Sequence, residues 1–141
     1  MSFLKKLFNH THKYKEDINM TNKDKALALI NTFATGDTDA AKNLLAEGYI
    51  QHNTGIADGL SGLGAALEAL GKQGIQMIYD QTYQVLADGN YGLAVSEGSF
   101  GGAHTSYYDL FRVENGKIVE HWDVMETIAD KSTWQNQNGK F

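Results

Sequence analysis

Hydrophobic positions along this chain follow two different periods, and the change between them divides it into a helical half and a stranded half. In K-D-K-A-L-A-L-I-N-T-F, residues 23–33, Leu27, Ile30 and Phe33 recur every three residues and line one side of a helix. Thr21, with Asp24 three residues later, resembles a capping box with Asp in place of the usual Glu. A-T-G-D-T-D, residues 34–39, interrupts the pattern, and Asp37 or Thr38 can cap a second helix running through Leu45. E-G-Y-I-Q-H-N and a Gly-bearing loop follow. S-G-L-G-A-A-L-E-A-L-G, residues 61–71, then predicts a third helix with Ser61 as cap and Gly71 as stop.

From Ile75 the period falls to two. Q-M-I-Y-D-Q-T-Y-Q-V-L is rich in β-formers and closed by A-D-G-N, and Y-G-L-A-V-S-E-G-S-F, residues 91–100, answers it. T-S-Y-Y-D-L-F-R-V and K-I-V-E-H-W-D-V flank a second hairpin signal, E-N-G. Three helices before an antiparallel meander predict an α+β domain, with the helices packed on a curved sheet of four or more strands. The domain is expected over residues 21–130, preceded by an extension over 1–20 and followed by a loose polar tail over 131–141.

Composition narrows the chemistry. With no cysteine, disulfides, thiol nucleophiles and thiolate metal sites are excluded, which suits a reducing, cytoplasmic setting. A net charge of −5 argues against nucleic acid as the main partner, because phosphate binding needs a basic face. No run of roughly 18 apolar residues exists to span a bilayer. The first residues, MSFLKKLFNHTHKYKED, are locally basic, with Phe3, Leu4, Leu7 and Phe8 at helical spacing. A short amphipathic helix touching a membrane surface through residues 1–17 is one reading; a packed or frayed extension is the favoured one. Lys5 and Lys6 break the apolar stretch a signal peptide would need. No G-x-S-x-G is present, and G-L-S-G-L-G lacks the lysine of a phosphate-binding loop.

The unusual stretch is I-V-E-H-W-D-V, residues 118–124, where a core strand carries His121, Trp122 and Asp123. If Gly116 occupies the left-handed position of a three-residue turn, Val113 pairs with Lys117, Phe111 with Val119, Asp109 with His121 and Tyr107 with Asp123. A two-residue turn would instead set Asp109 opposite Trp122. The first register is preferred because alternation then gathers Asp109, His121 and Asp123 at one end of an apolar wall that includes Phe111. Such a wall suits a small-molecule pocket, and carboxylates shifted by burial and by each other suit proton transfer. Tyr49 and His52, in Y-I-Q-H-N, are candidates to line the same cavity, with Tyr107 and Trp122. The plainer alternatives are a routine His–Asp pair on a solvated face and a loop histidine satisfied by backbone. His52, His121, Asp109 and Asp123 could together ligate a metal, but no close-spaced ligand pair lies in the body of the domain, and no metal is expected.

Y-I-Q-H-N-x-x-x-x-D-G, residues 49–59, followed by Y-D-L-F-R-V-E-N-G-K-I-V-E-H-W-D-V, residues 108–124, resembles the SnoaL-like polyketide cyclase family of the nuclear-transport-factor-like, cystatin-like superfamily. The resemblance covers about residues 21–128. It implies a cone-shaped α+β barrel around a pocket and dimers formed through the sheet. It also implies ring closure by intramolecular aldol chemistry, or a related isomerisation, on a small apolar carbonyl compound, with an acidic general acid/base and neither metal nor cofactor. The acidic residue of the H-W-D motif matches Asp123, with His121 or His52 as hydrogen-bond donor to the enolate. Asp109 stands where such cyclases offer a His, and Thr54 stands where relatives have Pro, two departures from the active pattern. The superfamily also contains plain binding domains, so a non-catalytic ligand-binding module is the alternative.

Overall fold

A computed structural model describes residues 20–141. The expected amphipathic helix and membrane contact of the N-terminal extension lie outside the described residues. Among the described residues, no helix is long and apolar enough to cross a membrane.

Helix α1 spans Asn22–Thr35, and its capping box is formed: Asp24 N–H donates to Thr21 Oγ1 at 3.1 Å and Thr21 N–H to Asp24 Oδ2 at 3.0 Å. Its buried residues are Ala26, Leu29, Ile30 and Thr32, with Phe33 packed beside them; of the expected stripe Ile30 and Phe33 face the core, and Leu27 is only partly buried. The helix lies close on the sheet at Gly92, where an added Cβ would sit 3.1 Å from the Asn22 carbonyl oxygen and 3.2 Å from Ala26 Cβ. Helix α2 spans Thr38–Leu44 with Asp37 as its side-chain cap. Helix α3 spans Gly59–Lys72, beginning two residues before the predicted Ser61 start.

The sheet has five strands: β1 Leu45–Gln51, β2 Met77–Asp88, β3 Tyr91–Phe100, β4 Ala103–Glu114 and β5 Lys117–Thr127. They lie in the order β1-β5-β4-β3-β2, an open sheet in which β2 to β5 form the expected antiparallel meander. Strand β1 corrects the reading of an all-antiparallel sheet: it pairs parallel to β5, Gln51 beside His121. By sequence pattern this stretch reads as the end of a helix and a loop. Leu45 passes straight from α2 into the strand, and Glu47-Gly48 break the apolar alternation between buried Leu45 and Tyr49. α1 packs on β2 and β3, α3 on β1.

The last hairpin takes neither expected register. Asn115 (φ 49°) and Gly116 (φ 78°) both adopt positive φ, as a two-residue type I′ turn requires, and Glu114 pairs with Lys117. Val113 then faces Ile118, both buried in the core. A bulge follows, leaving Val119 without a partner, and the pairing resumes with Arg112 opposite Glu120. Phe111 therefore meets His121 instead of Val119, Asp109 meets Asp123 instead of His121, and Tyr107 meets Met125 instead of Asp123. The turn moves the register by one residue and the bulge by one more. Odd-numbered residues thus still face odd-numbered residues, and the inward polar face survives. Beyond β5, Lys131–Thr133 form a 3-10 turn, and the tail returns to stack Phe141 on Tyr83 with ring centroids 4.5 Å apart.

Candidate active site

Asp109 on β4, His121 and Asp123 on β5 and Gln51 at the end of β1 converge on the helix-facing side of the sheet. Asp109 is 1 % exposed. Tyr79 of β2 donates its hydroxyl to Asp109 Oδ2 at 3.1 Å, and His121 Nε2 lies 2.9 Å from Asp109 Oδ1. The His121 ring stacks on Phe111, centroids 4.9 Å apart, and its Nδ1 lies 3.1 Å from Gln51 Oε1. Asn53 donates its side-chain amide to both oxygens of Asp123, at 3.1 and 3.0 Å. Asp123 is only half-buried, so the cluster has one open end.

Burial pushes Asp109 above the ordinary carboxylate range. The His121 and Tyr79 contacts oppose that shift, and the nearby Asp123 charge adds to it. Tyr79 is raised well above the usual phenol value, chiefly by burial and then by the Asp109 charge, so it remains a donor. Burial raises Tyr107 to about 12. Tyr49 is raised mainly by burial, with the charges of Asp58 and Asp123 adding to it.

The structure brings together Asp109, His121 and Asp123, with Phe111 as the apolar floor under the imidazole. Tyr49 joins through Gln51, whose amide Nε2 donates to its hydroxyl at 3.3 Å. Tyr107 lies in the same layer, but its hydroxyl donates to the Ser99 carbonyl at 2.6 Å and its ring stacks on Tyr79, which gives it a packing role. His52 and Trp122 do not belong to the cluster. Their rings stack face to face on the opposite side of the sheet, centroids 4.5 Å apart, and His52 Nε2 lies 2.7 Å from Glu120, which Arg112 also holds at 2.6 Å. The reason is the pleat: His52 and Trp122 directly follow Gln51 and His121, which point inward. Gln51 and Asn53 were missed. Their signal was present in Y-I-Q-H-N, but it is readable only if the stretch is a strand running beside β5.

One ligand atom each from Asp109, His121 and Asp123 lies within 4.8 Å of the others, a spacing that could hold a cation. His52, on the far face of the sheet, could not serve as a fourth ligand. A separate apolar cavity of about 460 Å³ opens between the end of α1, α2 and α3, lined by Phe33, Ala41, Leu60, Leu63, Leu67 and Met77 among others. None of the three clustered polar residues lines it. Phe33 from its wall stacks on Tyr79, so one aromatic layer separates the cavity from Asp109.

Residues 26–121 match the family model described as a SnoaL-like domain. No curated protein matches the chain. Among solved structures, an NTF2-like protein of unknown function from Cytophaga hutchinsonii aligns with a TM-score of 0.66 at 19% identity, covering 79% of this chain and 95% of that one. A protein of unknown function with a cystatin-like fold from Xanthomonas campestris aligns with a TM-score of 0.64 at 24% identity, covering 80% and 94%. A candidate polyketide cyclase from Sinorhizobium meliloti aligns with a TM-score of 0.61 at 17% identity, covering 72% and 94%. At these identities the likeness carries the fold alone.

Proposed function

The chain belongs to the SnoaL-like family, and from that premise we propose that it performs acid/base chemistry on a small, mainly apolar carbonyl compound. Asp123 is the base that takes a proton α to the carbonyl, in an aldol-type cyclisation or an isomerisation. The observation that carries this reading is the open end of the cluster: Asp123 is the one half-exposed residue among Asp109, His121 and Asp123, with both oxygens steadied by Asn53. A base fixed in this way is already aimed when substrate arrives. The enolate oxygen that forms needs a donor. His52 faces the other side of the sheet and both His121 nitrogens are engaged, so the role passes to Tyr49. Its oxygen accepts from Gln51, which leaves its own proton to give. On this reading the substrate binds at the open end of the cluster beside Asp123, and the separate apolar cavity takes no part in the chemistry.

The test is enolisation itself: deuterium uptake α to the carbonyl of cyclic ketone probes, followed by NMR in heavy water. Asp123→Asn should slow uptake by about 10²–10⁴-fold, the usual worth of a positioned general base. Uptake equal to wild type would overturn the assignment. The separation of the cavity from Asp109, His121 and Asp123 favours a second reading, a binding module whose ligand leaves chemically unchanged. Binding of the probes in the cavity without any deuterium uptake would support it.

We further propose a homodimer through the outer sheet face. Ile50, Leu86, Tyr91, Tyr108 and Val124 are all exposed on the side away from the helices, the face such a contact would cover.

A further inference from the structure

The side-chain amide of Gln51 is gripped from three sides, and those grips dictate where protons sit in the cluster. The Asn53 backbone N–H donates to Gln51 Oε1 at 3.0 Å, the amide Nε2 reaches the Tyr49 hydroxyl oxygen at 3.3 Å, and Oε1 lies 3.1 Å from His121 Nδ1. A backbone N–H can only donate, so it settles which end of the amide is oxygen. An amide oxygen has no proton to offer. The third contact is therefore a hydrogen bond only when His121 Nδ1 carries hydrogen. Across the ring, Nε2 lies 2.9 Å from Asp109 Oδ1. With Nδ1 protonated, that contact contains one proton, held either by Nε2 facing a carboxylate or by Asp109 facing a bare Nε2. The two arrangements have the same net charge, zero.

We propose that Gln51 is a positioning residue that locks His121 in its Nδ1–H form, keeps the His121–Asp109 pair neutral, and leaves Asp123 as the only net charge of the cluster. Without the lock, His121 could give its single proton to Asp109 through Nε2 and leave Nδ1 bare. The pair would then carry one negative charge directly across the strands from Asp123, because Asp109 and Asp123 are opposite one another. The groups facing the imidazole come from every strand around it. They are Asp109 on β4, Asp123 on β5 and Tyr49 with Gln51 on β1, and Tyr79 on β2 reaches it through Asp109. Asp58 at the head of α3 accepts the Gln51 backbone N–H at 2.8 Å and so anchors the backbone that carries the amide. The lock rests on geometry alone; its bearing on turnover rests on the acid/base reading above.

Imidazole nitrogen NMR on the whole chain tests it, through one-bond nitrogen–proton correlations between about pH 5 and 8, where histidines ordinarily titrate. His121→Asn assigns the resonances among the five histidines. The wild type should show protonated Nδ1 on His121 at every pH. Gln51→Leu should lose that correlation as the Nδ1 proton is released to solvent and the one proton of the contact with Asp109 stays on Nε2, and Gln51→Glu, which keeps an acceptor oxygen, should restore it. A bare Nδ1 in the wild type, or an unchanged Nδ1–H in a folded Gln51→Leu variant, would overturn the proposal. Should Gln51→Leu fail to fold, the wild-type and Gln51→Glu spectra decide, since a bare Nδ1 in either overturns it. Asp123→Asn should retain Nδ1–H. If that variant exchanges ketone deuterium as well as wild type while Nδ1–H persists, the lock stands and the acid/base reading falls.

Discussion

Replacing Tyr79 by Phe removes one oxygen atom and tests whether Asp109 is held as a charged group inside the domain. The ring should keep its stacking on Tyr107 and Phe33, so the lost interaction is the hydroxyl donated to Asp109 Oδ2 at 3.1 Å. Asp109 is buried and its other oxygen already meets His121, so nothing else among the described residues can fill the vacant site. An unsatisfied buried acceptor costs about 1–3 kcal/mol, with the upper end expected for an ionised one. With a urea slope of about 1–3 kcal/mol per molar, a loss of about 2 kcal/mol moves the unfolding midpoint by roughly 1 M. The pH dependence carries the sharper information. Burial raises Asp109 above its unfolded value and the Tyr79 bond pulls it back down, so losing that bond raises it further. At acid pH, where Asp109 is protonated in both proteins, the penalty should shrink to the ~0.5–1.5 kcal/mol of a neutral hydrogen bond. Above the unfolded carboxylate value it should grow, as pH rises through the folded value of the wild type and then the higher one of the variant. Urea unfolding at several pH values reads both quantities. A penalty that is flat across pH would refute the idea that Tyr79 steadies a charge.

Other changes probe neighbouring parts of the same reasoning. Asp109→Asn removes a carboxyl whose folded pKa is raised, so the wild type should lose stability relative to it as pH climbs from below the unfolded carboxylate range. The loss is about 1.4 kcal/mol for each tenfold difference in proton affinity between folded and unfolded chain, and equal pH slopes by denaturant titration would contradict it. Phe111→Ala, at a 1 % exposed position under the His121 ring, should cost about 3–5 kcal/mol in thermal or urea unfolding. Val124→Glu on the outer face should convert the proposed dimer to monomer in sedimentation without altering the folded domain's circular dichroism. His52→Ala should leave deuterium uptake from ketone probes within a few-fold of wild type, because its ring stacks on Trp122 behind the sheet; a loss as large as that of Asp123→Asn would place it in the site.

What the sequence disclosed and what it concealed follow from the range of each signal. Helices α1 and α2 were legible because their caps are local: Thr21, Asp24 and Asp37 act within a few residues of themselves. The meander was legible from alternation and Gly-bearing turns. Strand β1 was not, since its partner lies some 70 positions later in β5 and only pairing there makes Leu45 and Tyr49 core residues. The inward set of Asp109, His121 and Asp123 emerged correctly from a wrong register, because two one-residue shifts cancel in a period of two. His52 was misplaced and Gln51 overlooked for a single reason: in a segment read as loop, no parity exists to say which side chain turns inward.

The bulge at Val119 makes this end of the chain sensitive to counting. Deleting that one residue while the Asn115-Gly116 turn stays put would remove the bulge and leave the pairs as they are, Arg112 opposite Glu120 and Phe111 opposite His121, so His121 and Asp123 would keep facing the helices. Removing a second residue, Glu120, would slip the ladder by one and turn Trp122 toward the helices and His121 and Asp123 toward solvent. The hairpin therefore holds a single residue of slack, and the coding region around it should tolerate loss of the bulged residue and reject the next.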